Sequence, residues 1–309
     1  MKGIIDIGSN SMRLSMYDTE HDDISLLFSR KALTALAAEI DEYGNLTQRG
    51  IDKAIYTLLQ FRHILDNVGD PAVSVIATAS LRNVANTAEA IAAIEQGSGF
   101  SLILLSGTEE AHYGSKAVRW GMENGQIGAV DRFMVVDIGG GSTELSVCDG
   151  PINTDETSIP VGSLNQYLAN VDYLLPTRQN RHTIEELVAG HLDNHWKKGP
   201  PHREVIVGVG GSNRAALRLA NAHFEHDLAN TVIKTKQLKE LIHTFDPDQK
   251  KSIVRLARAV PDRLHTLLPG MIILRTITKV VGAKTFVTSD WGVREGYLIH
   301  LIEQGGIDG

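Results

Sequence analysis

Two carboxylates flank three consecutive glycines in the segment 137–144, which reads DIGGGSTE. Apolar runs precede and follow the segment, so the pattern predicts a strand, a tight turn and a second strand. Because glycine has no Cβ, the backbone N–H groups of such a turn can converge on an anion. Asp137 before the turn and Glu144 after it could hold a metal ion or an attacking water. These residue types therefore favour the binding and reaction of an anion.

The same pattern occurs a second time near the N-terminus. DIGSNSMRLSMYD, which begins at Asp6, and DIGGGSTELSVCD, which begins at Asp137, agree at seven of thirteen positions. Two copies so far apart indicate a duplicated domain rather than a repeat array, each half opening with a strand, a phosphate-binding turn and a strand. The alternative is a chance similarity between two glycine-rich hairpins.

Polar side chains beside the first copy could contribute to the same chemistry. Asn10 and Ser11 can donate hydrogen bonds to an anion, and Arg13 can add charge-assisted ones if its side chain faces the site. A solvent-facing position for Arg13 fits the pattern equally well. Arg82 follows the strand predicted at 73–78 and is expected at or near the start of a helix, where a phosphate could bind. A surface salt bridge explains Arg82 equally well.

Glu110 opens a predicted helix directly after a strand and Gly107. In an open α/β sheet the carboxyl ends of the strands face the crevice, so a carboxylate here could act as a general base towards water. Acidic residues in a first helical turn are also common because they interact favourably with the helix dipole alone. The sequence pattern by itself leaves both roles open.

A third glycine-rich turn lies between a predicted strand and a predicted helix in the segment 203–220. It contains Gly210 and Gly211 and matches neither the dinucleotide-binding fingerprint nor a P-loop, but it predicts another anion-binding turn at a helix N-terminus. His191 and His195 have helical i, i+4 spacing. They lack the glutamate of HExxH and a visible third ligand, so we do not expect a metal site there.

Alternating strands and helices along 309 residues predict an α/β protein of two domains. The loop at 121–131 is the expected boundary, giving domains at 1–125 and 126–295. We expect the C-terminal helix, at about 296–309, to complete the first domain. Each domain is expected to have a well-buried core.

The composition narrows the classes of partner. A net charge of −7 argues against general nucleic-acid binding, and the apolar runs are too short to span a membrane. A single cysteine and the absence of a signal-peptide pattern favour a cytoplasmic location. Residues 178–263 carry an excess of five positive charges, which could steer a polyanion into a cleft or could simply be solvated helix faces. The final helix is a candidate surface for a homodimer.

Six segments in order resemble the exopolyphosphatase/guanosine pentaphosphate phosphohydrolase (Ppx/GppA) family over essentially the whole chain. They are DIGSNSMRL, ATASLRNVAN, SGTEEA, DIGGGSTEL, GVGGS and TSDWGVREGYL. The resemblance implies two duplicated actin-like ATPase (ribonuclease H-like) domains with the active cleft between them, in the short two-domain form. It also implies Mg²⁺-dependent hydrolysis of the terminal phosphoanhydride of inorganic polyphosphate. Conversion of guanosine pentaphosphate to the tetraphosphate is the alternative within the same family.

The resemblance also assigns roles to individual residues. Glu110 is implied as the base that activates water, and Glu144 as a second catalytic carboxylate. Metal or water would be positioned by Asp6, Asp137 and Glu144. The implied phosphate-binding residues are Asn10, Ser11, Arg13, Arg82, Gly139, Gly140, Gly141, Ser142, Gly210 and Gly211.

The chain also departs from the family pattern at several positions. His112 replaces an arginine, Ser212 replaces a threonine and His265 replaces an aspartate. An apolar segment at 33–40 replaces a basic one. The loss of a positive charge and of a carboxylate gives a third hypothesis, a catalytically weakened sensor that binds polyphosphate or a guanosine alarmone. An actin-like filament protein or a sugar kinase would instead require ATP binding.

Overall fold

The computed structural model describes residues 1–19, 24–245 and 249–305. The chain divides into two compact units. Unit 1 contains Met1–Glu110 and Tyr297–Gly309, and unit 2 contains Ala111–Gly296. The boundary between the two units falls inside the helix Gly107–Glu123, whereas the predicted boundary at residue 125 falls after it. The predicted domain bounds, 1–125 and 126–295, stay a prediction. Two predicted helices extend beyond the described residues. Residues 306–309 of the C-terminal helix predicted at about 296–309 lie outside them, and so does residue 248 of the helix predicted at about 248–259.

Unit 1 is built on a five-stranded sheet with the order β3-β2-β1-β4-β5. β1 pairs antiparallel with β2 and parallel with β4. The helices of this unit bury their apolar faces in one core with the sheet. The elements are β1 (Lys2–Ile7), β2 (Ser11–Asp18), β3 (Ser25–Leu33), α1 (Gln48–Asp66), β4 (Val73–Ala77), α2 (Ala79–Arg82), α3 (Thr87–Ser98), β5 (Leu102–Leu104) and the first residues of α4 (Gly107–Glu123).

Unit 2 contains a six-stranded sheet with the order β10-β11-β9-β6-β7-β8. Its strands are β6 (Arg132–Ile138), β7 (Thr143–Asp149), β8 (Ile152–Ile159), β9 (Val205–Val209), β10 (Val232–Lys234) and β11 (Thr285–Thr288). Its helices are α5 (Ser163–Asn170), α6 (Arg178–His195), α7 (Gly210–Phe224), α8 (Thr235–His243), α9 (Lys250–Ala259) and α10 (Leu267–Val281). The last helix, α11 (Val293–Glu303), begins in this unit and ends in unit 1.

The five strands of unit 1 have the same order as five strands of unit 2, which has β10 as an additional edge strand, and this confirms the duplication expected from the repeated motif. β6 pairs antiparallel with β7 and parallel with β9, as β1 does with β2 and β4. α10 is the most deeply buried helix of unit 2, because apolar residues cover almost its whole circumference. No helix in the described part of the chain has both the length and the apolar character needed to cross a membrane.

Most predicted elements are present, with three corrections. The helix predicted from Ala79 onward is interrupted between α2 and α3. Asn86, the residue just before α3, exchanges two hydrogen bonds with the backbone of Leu46. The strand predicted at 101–107 is limited to Leu102–Leu104. The helix predicted from 262 begins at Leu267, after a single 3-10 turn at Pro261–Arg263.

Candidate active site

The backbone of the glycine turn, residues 139–142, is held by the N-terminus of α5. The Ser163 N–H donates to the Gly139 carbonyl at 2.9 Å, and the Leu164 and Asn165 N–H groups both donate to the Gly140 carbonyl at 2.9 Å. The Asn165 side chain donates to the Gly141 carbonyl, also at 2.9 Å. The three carbonyls of the turn therefore point towards α5.

This arrangement fixes the direction of the N–H groups as well. In a trans peptide the C=O and the N–H of the same plane point in opposite directions. The N–H groups of Gly140, Gly141 and Ser142 consequently point away from α5. Parallel backbone donors of this kind form an anion-binding surface.

Gly162, the residue just before α5, allows this close contact. A Cβ at this position would lie 2.5 Å from backbone atoms of Gly140 and Gly141. Gly162 is distant in sequence from the turn and belongs to no recognised motif, so no sequence pattern points to it. Glycine is required at position 162 because the turn packs directly against the start of α5.

The two carboxylates that flank the turn lie opposite each other. Asp137 and Glu144 are partners in the β6–β7 register, so their side chains project from the same face of the sheet. Glu144 is buried, and its Oε1 accepts hydrogen bonds from the Ser142 hydroxyl at 2.6 Å and the Ser158 hydroxyl at 2.7 Å. These bonds orient a buried carboxylate at the end of the turn.

The third glycine turn contacts Asp137 directly. Gly210 has φ of +78°, and a Cβ there would lie 2.2 Å from Oδ1 of Asp137. The guanidinium of Arg263 covers Gly211, where a Cβ would lie 2.0 Å from Nη2, and Nη1 donates to the Ser212 hydroxyl at 3.3 Å. Unit 2 thus brings together Asp137, Glu144, the glycine turn and the start of α7.

A half-buried arginine of α7 holds the backbone that follows β11. Arg214 donates to the carbonyl oxygens of Ser289 and Asp290 at 3.2 and 3.1 Å. Burial lowers the pKa of Arg214 from its ordinary value, and the like charge of Arg294 lowers it further. Asp137 is among the carboxylates that oppose this shift, so the charge of Arg214 acts on the candidate site.

In unit 1 the corresponding turn, residues 8–11, is held by a different segment. The Ala37 and Ala35 N–H groups donate to the carbonyls of Ser9 and Asn10 at 3.1 and 3.0 Å. The N–H groups of Asn10 and Ser11 therefore point away from that segment. The apolar segment at 33–40, which departs from the family pattern, thus orients the turn through its own backbone.

Glu110 is a buried carboxylate in the first turn of α4. Arg82 donates to it through Nη1, and the same nitrogen donates to the Leu105 carbonyl at 2.8 Å. Arg82 is the last residue of the four-residue helix α2, three residues after its start, and its role in phosphate binding stays a prediction. This contact fixes the position of the Glu110 carboxylate.

Asp6 and Arg13 are opposite each other in the β1–β2 register. Arg13 also donates to the Ser29 hydroxyl on β3 at 2.9 Å. Its role in phosphate binding, like those of Asn10, Ser11 and Arg82, stays a prediction.

The divergent histidines both have defined neighbours. His112 lies 3.0 Å from Oε1 of Glu156, and the ring of His265 lies 5.1 Å from that of Tyr167. Burial lowers the pKa of His265, and the positive charge of Arg263 lowers it further. His195, in the i, i+4 pair, hydrogen-bonds Asp155 at 2.9 Å.

The residues of unit 2 fit a hard divalent cation. Among the described residues, no three His, Cys, Asp or Glu side chains are close enough together to hold a metal ion by themselves. Mg²⁺ commonly uses only one or two carboxylates and completes its shell with water and substrate phosphates. Asp137 and Glu144 supply oxygen donors of this kind beside an anion-binding turn.

Two α/β units of the same topology, each with a phosphate-type turn after its first strand, define an actin-like protein. The chain belongs to the Ppx/GppA phosphatase family, whose family model matches residues 15–304. It is therefore an enzyme of a phosphatase family, and the fold class expected from the sequence is confirmed.

Individual relatives agree with this assignment. Exopolyphosphatase 1 of Mycobacterium tuberculosis (strain ATCC 25618 / H37Rv) is 23% identical over 313 residues, covering 97% of this chain and 88% of the relative. The crystal structure of the Aquifex aeolicus family member is 24% identical, with a TM-score of 0.78 and 99% of each chain covered. An exopolyphosphatase from Cytophaga hutchinsonii is 20% identical, with a TM-score of 0.81, covering 100% of this chain and 99% of that one.

Proposed function

We propose that this chain is a Mg²⁺-dependent exopolyphosphatase that releases orthophosphate from the end of inorganic polyphosphate. The observation that carries the proposal is Glu110, a buried carboxylate held by Arg82 at the start of α4. A fixed and ionised carboxylate can take the proton of an attacking water. The names of the relatives supply the substrate class.

The remaining residues have roles that suit hydrolysis of a phosphoanhydride. This reaction depends on positioning and charge stabilisation more than on covalent catalysis. We assign the N–H groups of Gly140, Gly141 and Ser142 as donors to phosphate oxygens. The hydroxyls of Ser142 and Ser158 hold Glu144 in place through the hydrogen bonds described above.

Asp137 and Glu144, with Asp6 as a further candidate, would hold Mg²⁺. When bound, the ion would neutralise negative charge on the substrate oxygens. Arg263, which covers Gly211 and contacts Ser212, adds a fixed positive charge next to Asp137 and the third turn. That charge favours an anionic substrate over a neutral one.

A panel of substrates tests this proposal. Purified protein is incubated with long-chain polyphosphate, guanosine pentaphosphate or ATP, with Mg²⁺ or with EDTA, and orthophosphate is measured. We expect release from polyphosphate that requires Mg²⁺. Release from guanosine pentaphosphate alone would replace the proposed substrate with the family alternative, and no release from any of the three would contradict an enzymatic role.

A further inference from the structure

A cavity of about 510 Å³ lies in unit 2 beside the C-terminal end of α6. It is formed where the loop after this helix passes β7 and β8. The polar residues that line it are Thr154, Asp155, His195, Trp196, Lys197, Lys198 and Arg203. None of them belongs to the candidate active site.

Arg203, which lines this cavity, has a buried hydrogen-bond donor without an acceptor in the described part of the chain. The residue is only 4% exposed, yet its Nε–H has no hydrogen-bond acceptor among the described residues. Its other two nitrogens are occupied, because Nη1 donates to the His202 carbonyl at 2.9 Å and Nη2 to Asp149 at 2.7 Å. A buried donor without an acceptor is unfavourable, so a ligand that supplies an acceptor oxygen would be stabilised here.

The local charges select an anion. Lys197 and Lys198 are exposed, and within the described part of the chain neither ammonium pairs with a carboxylate. The one carboxylate of the lining, that of Asp155, already accepts hydrogen bonds from the Trp196 indole at 2.7 Å and from His195 at 2.9 Å. The cavity therefore has an excess of positive charge and of donors.

We propose that this cavity binds a phosphate group, carried either by a bare phosphate chain or by a nucleotide. A phosphate offers three or more acceptor oxygens in a tetrahedral arrangement. It can therefore meet donors that approach from different sides, such as the two lysines and the Arg203 Nε–H, whereas a carboxylate offers two oxygens in one plane. The half-buried indole of Trp196 supplies an apolar wall, on which the base of a nucleotide could stack.

The cavity is separate from the glycine turn within the same unit. Val147, which lines it, is four residues along β7 from Thr143, where the strand leaves the turn. At about 3.4 Å per strand residue this corresponds to roughly 14 Å. The proposal concerns binding only and does not depend on whether the chain hydrolyses polyphosphate.

The Trp196 indole provides a local reporter of binding. The chain has three tryptophans, so ¹⁵N-labelled protein should give three indole N–H signals, and Trp196→Phe identifies one of them. Tripolyphosphate, GTP and guanosine are titrated separately without added Mg²⁺, so that hydrolysis does not consume the ligand. We expect tripolyphosphate or GTP, but not guanosine, to shift the Trp196 signal in a saturable manner.

The two phosphorylated ligands distinguish the sources of the phosphate. A shift with both indicates that the cavity recognises a bare phosphate chain, and a shift with GTP alone indicates a nucleotide. A shift with guanosine of the same size as with GTP would overturn the proposal. So would an unshifted Trp196 signal with both phosphorylated ligands.

Variants test which residues are responsible. Lys197→Ala/Lys198→Ala should weaken binding by about three- to tenfold, since two exposed charges are removed. Arg203→Lys keeps a positive charge but removes the Nε–H donor, and it should also weaken binding while the protein remains folded in a thermal melt. Lys250→Ala/Lys251→Ala, an exposed lysine pair on α9, is the matched control and should leave binding unchanged. Equal affinity in the Lys197/Lys198 variant and the control would contradict the proposal.

Discussion

At the scale of single residues, each unit has a buried carboxylate whose hydrogen bonds fix its position. Glu110 is held by Arg82, and Glu144 by the hydroxyls of Ser142 and Ser158. Charge-assisted hydrogen bonds of this kind are stronger than neutral ones and favour the ionised carboxylate. Each group is thereby prepared for its proposed role before any substrate binds.

Cys148, the one cysteine of the chain, should be unreactive in the folded protein. It is fully buried, and burial raises the pKa of its thiol to about 11. At about pH 8 the thiolate fraction should be more than about 100-fold lower than that of a free thiol. We expect negligible reaction with a disulfide reagent in buffer and one equivalent per chain in denaturant. Rapid labelling of the native protein would contradict the buried position.

His265 should make stability depend on pH. Its pKa is lowered in the fold by burial and by Arg263, so the unfolded chain takes up a proton at a higher pH than the folded chain does. Stability should therefore be lost as the pH falls below about 6.5, the ordinary pKa of histidine. We expect His265→Asn to reduce the fall in the urea midpoint between about pH 7.5 and about pH 5.5.

A residual fall should remain in that variant, because burial and Arg255 lower the pKa of His223 in the same direction. The exposed His63 on α1 provides a control, and His63→Asn should behave as the wild type. An unchanged fall in the His265 variant would show that this histidine does not contribute to the pH dependence.

At the scale of elements, the turn after the first strand of each unit is oriented by a second segment, whose N–H groups donate hydrogen bonds to the carbonyl oxygens of the turn. α5 does so for residues 139–142, and the residues just after β3 do so for residues 8–11. The direction of the N–H groups follows from peptide planarity in both cases. Activity should therefore depend on contacts that lie outside the turns themselves.

Gly162→Ala should disrupt the glycine turn. The added Cβ would overlap the backbone of Gly140 and Gly141, which has no flexible atom to move aside. We expect phosphate release to fall at least about tenfold and the free energy of unfolding to fall by about 1–3 kcal/mol. Steady-state kinetics and urea unfolding measure the two effects.

Gly190→Ala is the matched control for this substitution. Gly190 lies inside α6, and a Cβ there meets no atom within 4 Å. Alanine is the better helix former, so we expect unchanged activity and a gain of about 0.5–1 kcal/mol in stability. Equal effects of the two substitutions would contradict the packing of the turn on α5.

The repeated motif at Asp6 and Asp137 was sufficient to predict two α/β halves with equivalent hairpins, because strand–turn–strand patterns are local. The contacts of Ala35, Gly162 and Arg263 could not be predicted. Ala35 acts through its backbone N–H, and Gly162 acts because it has no Cβ. Arg263 contacts a turn that is far away in sequence. The break in the helix after Arg82 could not be predicted either, because Asn86, just before α3, hydrogen-bonds the backbone of Leu46, which is distant in sequence.

At the scale of the whole molecule, the duplication gives each unit its own turn and its own acidic residue after the first strand. Asp6 ends up opposite Arg13, whereas Asp137 ends up opposite Glu144. The two halves have therefore diverged towards different charges on the same framework. The second half has the pair of carboxylates suited to a metal ion, and the first half contains Glu110.

The assignment of Glu110 as the base is the central claim, and Glu110→Gln tests it most directly. Glutamine keeps the size of the side chain but cannot accept the proton of water. Phosphate release from polyphosphate with Mg²⁺ is compared for wild type, Glu110→Gln and Glu109→Gln, the adjacent exposed glutamate that accepts a hydrogen bond from the Ser106 N–H at 2.7 Å. We expect Glu110→Gln to lower kcat by about 10²–10⁴-fold with substrate binding largely preserved, and Glu109→Gln to remain near wild type. Undiminished turnover by Glu110→Gln would contradict the account.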